Sequence, residues 1–204
     1  MKTVALISRK GGSGKTTLAV ALAVAHEQAG GVAVVVDLDP QGSARTWSDL
    51  RHQEPPLVAS ARPQTLNRVL RVARSTGATL ALVDTGPREG GGTREAARQS
   101  DFVLIPSRPA AYDLATVPDT LAAIAPENTP AAIVLMCCPP RGPLPMQAAE
   151  YIRGIDAVLV PVTVVQRVAH VYAGIAGRTA METAPDTPAA REICELHQWT
   201  VQHA

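Results

Sequence analysis

The chain has 204 residues, of which 46% are hydrophobic and 18% charged, and its formal net charge is +1. This composition excludes a disordered or fibrous chain, and the small net charge excludes a protein whose whole surface attracts nucleic acid. The length suffices for one well-buried domain, so we expect residues 1–204 to form a single domain. No apolar stretch is long enough to span a bilayer, and no apolar signal region precedes the first motif. These features predict a cytoplasmic protein.

Apolar runs of strand length alternate with helical segments along the chain. The predicted strands cover residues 3–7, 32–36, 79–83, 102–106, 132–136 and 158–160. The predicted helices cover residues 18–25, 43–53, 65–75, 93–99, 111–125, 146–153, 168–175 and 188–202. Strands that alternate with helices form parallel sheets covered on both faces. We therefore predict an α/β fold with a doubly wound, mostly parallel sheet flanked by helices.

The most informative segment is residues 8–17, Ser-Arg-Lys-Gly-Gly-Ser-Gly-Lys-Thr-Thr, which lies between the first strand and the first helix. Its glycines allow the backbone to wrap closely around phosphate, while backbone N–H groups and the helix N-terminus supply positive potential. Lys15 is expected to reach the β- and γ-phosphates and the Thr16 hydroxyl to bind Mg²⁺. The predicted nucleotide contacts are Gly11, Gly12, Ser13, Gly14, Lys15, Thr16 and Thr17.

Acidic residues follow two of the predicted strands. Asp84 ends the third predicted strand, and Asp37 and Asp39 follow the second. Ligands of such sheets bind beyond the carboxyl ends of the strands, so we expect all three carboxylates near the phosphate loop. Asp84 fits a residue that supports Mg²⁺ through water, and the alternative is a turn residue at a strand end. Carboxylates that face a triphosphate repel it unless Mg²⁺ or a positioned water lies between them, which makes metal coordination or water orientation natural roles for Asp37 and Asp39.

The loop departs from the general phosphate-loop pattern G-x-x-x-x-G-K-[ST] at its first position. Arg9 stands where that pattern has glycine, and Lys10 follows it. One interpretation of Lys10 is a solvated charge at the rim of the site. The other is that it neutralises phosphate held by a neighbouring subunit.

Three segments together resemble the motifs of one family. Residues 10–17 resemble the deviant Walker A motif of ParA/MinD ATPases, residues 36–42 their second motif and residues 82–87 their Walker B segment. The resemblance covers most of residues 1–125. The short length and the pair Trp47-Ser48 are most similar to the small plasmid-partition ParA proteins, the ParF-like group.

This resemblance implies a P-loop ATPase that uses ATP and Mg²⁺ and forms a homodimer with ATP. It also implies that the ATP form binds DNA non-specifically and that a centromere-binding, ParB-like adaptor stimulates slow hydrolysis. The implied location is cytoplasmic and nucleoid-associated. Carried over by position, Lys10 acts across the dimer, Lys15 holds phosphate and Asp39 orients the attacking water. The implied metal residues are Thr16, Asp84 and Asp37.

Other functions fit the same motifs. They are a MinD-like positioning ATPase at a membrane, a non-catalytic nucleotide switch, and a metabolic enzyme such as an ATP-dependent carboxylase-like synthetase. MinD-like relatives use a basic amphipathic C-terminal helix on membranes. The run 191–199 contains two glutamates and no lysine, so we expect Ile193, Leu196 and Trp199 to pack in the core and no membrane partner.

A stripe of arginines marks the helix predicted at 65–75. Arg68, Arg71 and Arg74 recur every third residue, on the face opposite the apolar residues of this helix. A solvated amphipathic face is one interpretation. A surface that contacts DNA phosphate or a partner protein is the other.

Overall fold

The computed structural model describes residues 1–52, 54–86 and 91–204. In these residues the chain forms a six-stranded parallel sheet. The strands are β1 (Lys2–Leu6), β2 (Ala33–Asp37), β3 (Leu57–Ser60), β4 (Leu80–Asp84), β5 (Phe102–Ser107) and β6 (Ala131–Leu135). Their order across the sheet is β3-β2-β4-β1-β5-β6, and each neighbouring pair is parallel. The predicted parallel α/β sheet is confirmed.

Helices cover both faces of this sheet. They are α1 (Lys15–Gln28), α2 (Ser43–Leu50), α3 (Leu66–Ser75), α4 (Gly91–Arg98), α5 (Ala111–Leu114), α6 (Val117–Ile124), α7 (Leu144–Gly154), α8 (Val168–Ile175), α9 (Ala180–Thr183) and α10 (Pro188–His203). Helices α1, α2, α9 and α10 enclose one apolar layer. Helices α3, α4, α6 and α7 enclose the other. Both faces of the central strands are covered by helices, so nearly all of their side chains are buried. Their sequences are therefore nearly continuous apolar runs.

The structure differs from the predicted strands in two places. The strand β3 was missed because it is a short edge strand of four residues, which leaves only Leu57, Val58 and Ala59 as an apolar signal. Leu57 is 62% exposed. The segment 158–160 was predicted as a strand, but it forms only an isolated bridge between Leu159 and Ile133. Val160 donates to Ile133 O, and the next ladder bond in register is replaced by one from Val164 to Leu135 O. In a regular parallel ladder the next donor after Val160 would be Val162, so residues 161–163 leave the ladder and Val164 rejoins it.

The helix predicted at 111–125 is also divided into two. Helix α5 ends at Leu114 and α6 begins at Val117, with Pro118 in its first turn. Proline in a helix interior clashes with the carbonyl of the fourth preceding residue, here Leu114, but it is well tolerated in a first turn. The break therefore follows directly from Pro118.

The strand register aligns the ends of three neighbouring strands. Leu6 at the end of β1 lies opposite Asp84 at the end of β4. Asp84 in turn lies opposite Asp37 at the end of β2. The loop that leaves β1 and the acidic ends of β4 and β2 therefore meet at one edge of the sheet.

The C-terminal helix α10 packs on the core as predicted. Ile193 and Leu196 are buried, and the Trp199 ring meets Phe102 edge-on at a centroid distance of 5.8 Å. Among the described residues, no helix combines the length and the apolarity needed to cross a membrane.

A pair of histidines joins α10 to α1. His26 Nδ1 lies 3.0 Å from His197 Nε2, and His26 Nε2 lies 2.8 Å from Thr79 Oγ1. Burial, together with the neighbouring His26, lowers the pKa of His197 to about 4. Burial also lowers the pKa of His26, although Glu27 acts in the opposite direction. The two rings therefore share a contact that suits the neutral forms.

We predict that this pair destabilises the fold in acid. The unfolded chain binds a proton on His197 near pH 6.5, whereas the folded chain resists it until about pH 4. Stability from this group is therefore complete above pH 6.5 and is lost below it, by at most about 1.4 kcal/mol per pH unit. Asp84, whose pKa is raised to about 7, has the opposite dependence, so the test compares wild type with His197→Gln. Denaturant unfolding at pH 7 and pH 4.5 should show a loss about 2 kcal/mol larger in wild type; equal losses would contradict the prediction.

Candidate nucleotide-binding site

The loop between β1 and α1 contains left-handed backbone conformations that glycine adopts readily and other residues do not. Gly12 has φ 72° and Gly14, which caps α1, has φ 97°. These left-handed conformations cost other residues roughly 1–2 kcal/mol each. No side chain caps the N-terminus of α1. The first N–H groups of α1 therefore remain available to an anion.

Lys15 lies beneath this loop. Lys15 is only 7% exposed. Its Nζ donates hydrogen bonds to Ser8 O at 3.1 Å and to Lys10 O at 3.4 Å. Burial lowers the pKa of Lys15, and the carboxylates of Asp84 and Asp39 act in the opposite direction. The ammonium is thus held at the floor of the loop by backbone carbonyls.

Asp84 and Thr16 form the polar contact at the centre of the site. Thr16 Oγ1 donates to Asp84 Oδ2 at 2.7 Å, and Asp84 is fully buried. Burial raises the pKa of Asp84 to about 7, and the negative charges of Asp37 and Asp39 add to the effect. Asp84 Oδ1 is buried and has no hydrogen-bond partner among the described residues. An unpartnered carboxylate oxygen beside a hydroxyl fits a hard cation such as Mg²⁺.

The two other acidic residues have different environments. Asp37 accepts hydrogen bonds from the backbone N–H of Asp39 at 3.0 Å and of Arg45 at 3.2 Å. It is buried, which raises the pKa of Asp37, and it fixes the turn that leads into α2. Its predicted role as a metal residue stays a prediction, and both of its oxygens already have backbone donors. Asp39 is half-buried and accepts from the N–H of Gln41 at 3.0 Å.

A cavity of about 500 Å³, here the phosphate cavity, lies in front of the loop. Ser13 Oγ belongs to its wall and is buried without a hydrogen-bond partner among the described residues. Together with Asp84 Oδ1, it leaves unmet hydrogen-bonding capacity beside the loop. The residues that line the phosphate cavity are Gly11, Gly12, Ser13, Gly14, Lys15, Thr16, Thr17, Asp39, Ser43, Arg108 and Cys137.

A second cavity of about 280 Å³, here the apolar cavity, adjoins the first. Its wall is mainly hydrophobic, from Met136, Val164, Val165 and Ile193 among others. Gly14, Thr17, Arg108 and Cys137 line both cavities. Sequence reasoning missed this cavity because its walls come from five segments that are distant in the chain. The only local signal was that residues 136 and 137 follow a strand end at the ligand-binding edge of the sheet.

Lys10 is placed differently from Lys15. It is half-buried, it does not line the phosphate cavity that its own loop forms, and its ammonium has no hydrogen bond or ion pair within the described residues. Its neighbour Arg9 forms an ion pair with Asp119 at 3.5 Å.

The arginine stripe also lies outside the two cavities. Arg68, Arg71 and Arg74 are exposed along α3, while Leu66, Leu70 and Ala73 are buried on its inner face. Arg74 Nη2 donates to Met1 O at 3.4 Å. The predicted amphipathic face is confirmed, and its binding role stays a prediction.

Metal binding at this site would rely on more than protein side chains. In the described ranges, no group of three or more His, Cys, Asp and Glu residues could hold a metal ion by itself. Mg²⁺ characteristically binds one or two protein groups together with substrate phosphates and water. Thr16 and Asp84 are the residues that would hold it here, and Mg²⁺ would neutralise phosphate charge.

A parallel α/β sheet with a glycine-rich loop, a buried lysine and a hydroxyl–carboxylate pair defines a P-loop nucleotide-binding protein. The family model described as the CobQ/CobB/MinD/ParA nucleotide binding domain matches residues 4–177. The chain belongs to this family.

Two relatives support this assignment, and a solved structure shows the same fold. The chain is 36% identical to the maintenance of carboxysome distribution protein A of Gloeobacter kilaueensis, covering 69% of this chain and 65% of that protein. It is 30% identical to Protein ParA of Rhizobium radiobacter, covering 63% of this chain and 58% of that protein. The chain thus spans about three fifths of the length of these relatives. The septum site-determining protein MinD of Pyrococcus horikoshii, solved with Mg-ADP, is 15% identical and has a TM-score of 0.76, with 98% of this chain and 95% of that chain covered.

We predict that Gly14→Ala destabilises the protein, whereas Gly11→Ala does not. A Cβ on Gly14 would lie 3.1 Å from Met136 Cε, in a left-handed conformation, but nothing lies within 4 Å of a Cβ on Gly11. A cost of roughly 1–2 kcal/mol should lower the thermal unfolding midpoint of Gly14→Ala by about 2–8 °C. Gly11→Ala should stay within about 2 °C of wild type. Equal midpoints for the two variants, measured by calorimetry without nucleotide, would show that the loop tolerates a side chain at position 14.

Proposed function

We propose that this protein is a Mg²⁺-dependent ATPase of the ParA type. It dimerises around ATP, binds DNA without sequence preference in that form, and positions a cargo through an adaptor protein that stimulates hydrolysis. The observation that carries the proposal is the separation of the two lysines of the loop. Lys15 lies inside the phosphate cavity with its ammonium bound to backbone carbonyls. Lys10 lies outside that cavity, where it is available to a nucleotide held by a second copy.

The chemistry assigned to the site is positioning and charge stabilisation. Lys15 and the N–H groups of the loop hold the β- and γ-phosphates, and Thr16 with Asp84 holds Mg²⁺. Asp39 lines the phosphate cavity, is half-buried, and has one oxygen occupied by the N–H of Gln41. Its remaining oxygen can accept a hydrogen bond from the attacking water. Lys10 of the second copy completes the neutralisation of the phosphates.

The cargo proposed is DNA, moved through a centromere-binding adaptor of the ParB kind. The relative named ParA supports this choice. The relative named for carboxysome distribution favours a second candidate, in which the cargo is a protein assembly. Fluorescent tagging of the chain and its cargo in the native cell distinguishes a DNA focus from a protein body.

A membrane-based, MinD-like function is the weaker alternative. Its usual anchor is an amphipathic terminal helix, but the apolar face of α10 is buried against the core through Ile193 and Leu196. Without an exposed apolar face, this helix has little surface to insert into a lipid interface. A non-catalytic switch is excluded if the chain turns over ATP in the presence of DNA and adaptor.

We predict opposite defects for Lys10→Ala and Asp39→Ala. Lys10→Ala should bind ATP with an affinity within about threefold of wild type but remain monomeric, because the cation that crosses the dimer is absent. Asp39→Ala should dimerise with ATP and hydrolyse it about 100-fold more slowly. Light scattering with ATP and a phosphate-release assay measure the two properties.

Arg141→Ala, on an exposed loop at a position that lines neither cavity, is the matched control and should behave as wild type. A Lys10→Ala chain that still dimerises with ATP would remove the basis of the proposal. Wild-type turnover in Asp39→Ala would remove the assignment of the water-orienting residue.

We predict that the arginine stripe of α3 binds DNA phosphate. The double variant Arg68→Glu/Arg71→Glu should retain ATP-dependent dimerisation but bind DNA at least about tenfold more weakly, with a reduced salt dependence. The control Arg141→Glu/Arg153→Glu changes the net charge equally at exposed positions near α7. Gel-shift titrations at several salt concentrations measure both. Equal weakening in the two double variants would indicate a general charge effect and contradict a specific surface on α3.

A further inference from the structure

We infer that Arg108 contacts the α-phosphate of the bound nucleotide from within the same chain. This inference rests on the proposed binding of ATP at the loop, and it concerns a residue that no sequence motif singled out. Arg108 directly follows β5, at the ligand-binding edge of the sheet.

The first observation is the position of the guanidinium. Arg108 Nη2 lies 3.7 Å from the point that a Cβ on Gly12 would occupy. The side chain of Arg108 thus reaches over the glycine segment of the phosphate loop. The guanidinium therefore lies at about van der Waals distance from the loop at Gly12.

The second observation is where the two cavities join. The residues that line both the phosphate cavity and the apolar cavity are Gly14, Thr17, Arg108 and Cys137. A nucleotide with its base in the apolar cavity and its β- and γ-phosphates on the loop must pass this junction. The groups of a nucleotide that lie between base and β-phosphate are the ribose and the α-phosphate. Arg108 is the charged residue at the junction, and its charge matches the α-phosphate.

The third observation is the lack of a competing anion. Among the described residues, the Arg108 guanidinium has no hydrogen bond or ion pair, and the residue is exposed. No Asp or Glu lines the apolar cavity, and Asp39 is the acidic residue in the wall of the phosphate cavity. The backbone at this position is fixed, since Ser107 Oγ donates to Arg108 O at 3.1 Å and Pro109 is buried. An uncompensated guanidinium on this fixed backbone suits a phosphate oxygen, which it can bind in a forked geometry.

The test is the nucleotide affinity of Arg108→Ala, measured by competition with a fluorescent ATP analogue. Affinity for ATP, ADP and AMP should fall by similar factors of about 10- to 100-fold, since each has an α-phosphate. Affinity for adenosine should not change. Arg108→Lys should recover part of the loss, and Arg141→Ala should match wild type. Because the Arg108 side chain has no described partners, the variant should keep the wild-type circular dichroism spectrum and unfolding midpoint.

Several outcomes would overturn the inference. Equal affinities in Arg108→Ala and Arg141→Ala would show that the guanidinium does not touch the nucleotide. A loss that extends to adenosine would place it on the base or ribose. A loss that disappears in a Lys10→Ala background, where the chain is proposed to stay monomeric, would mean that Arg108 reaches the nucleotide of the second copy. If wild type itself binds no ATP, the proposed function fails first, and the two failures are therefore distinguishable.

Discussion

The in-register pairing of β1, β4 and β2 is the constraint on which the site depends. It places Leu6, Asp84 and Asp37 side by side at the carboxyl ends of the three strands. The phosphate loop leaves the sheet directly after β1, so its Thr16 comes within 2.7 Å of Asp84. Since side chains alternate between the faces of a strand, a slip of one residue in β4 would turn Asp84 away from Thr16. The central strands are largely apolar and buried on both faces, so they resist such a slip because it would move every one of their side chains.

The burial that fixes the register also makes the charged forms of Lys15 and Asp84 unfavourable. Removal from water disfavours the charged forms of Lys15 and Asp84, and it changes the pKa of each in the direction of neutrality. Their mutual attraction offsets only part of this effect. A bound magnesium–triphosphate unit supplies an anion near Lys15 and a cation near Asp84. Binding of this unit should therefore offset the unfavourable free energy of burying these two charged groups. It should also stabilise the folded chain against unfolding.

The sequence predicted the parts of this arrangement that depend on local pattern. The phosphate loop and the strand-end carboxylates were recognisable because glycine conformation, helix start and strand termination are encoded within a few residues. The strand β3 was not recognisable in the sequence, since its four residues are half exposed or exposed and form no strong apolar pattern. The irregular path of 158–166 beside β6 depends on which backbone groups of β6 remain free, and this is seen only in the assembled sheet. The apolar cavity and the reach of Arg108 over Gly12 require the whole sheet, because they join residues about a hundred positions apart in the chain.

In the proposed complex the cations around the loop divide the nucleotide between them, and this division gives a reason for a second copy. Lys15 lies under the loop, and Arg108 lies at the junction of the two cavities, so both can act within one chain. Lys10 does not line its own phosphate cavity. In that proposal a single chain would enclose the side of the triphosphate that faces the loop and would leave the side beside the half-buried Asp39 open to water. Water that is free to exchange is poorly oriented for attack. Closure of the outer side by a lysine from a second copy would both neutralise the phosphates and restrict that water, which couples dimerisation to hydrolysis through one side chain.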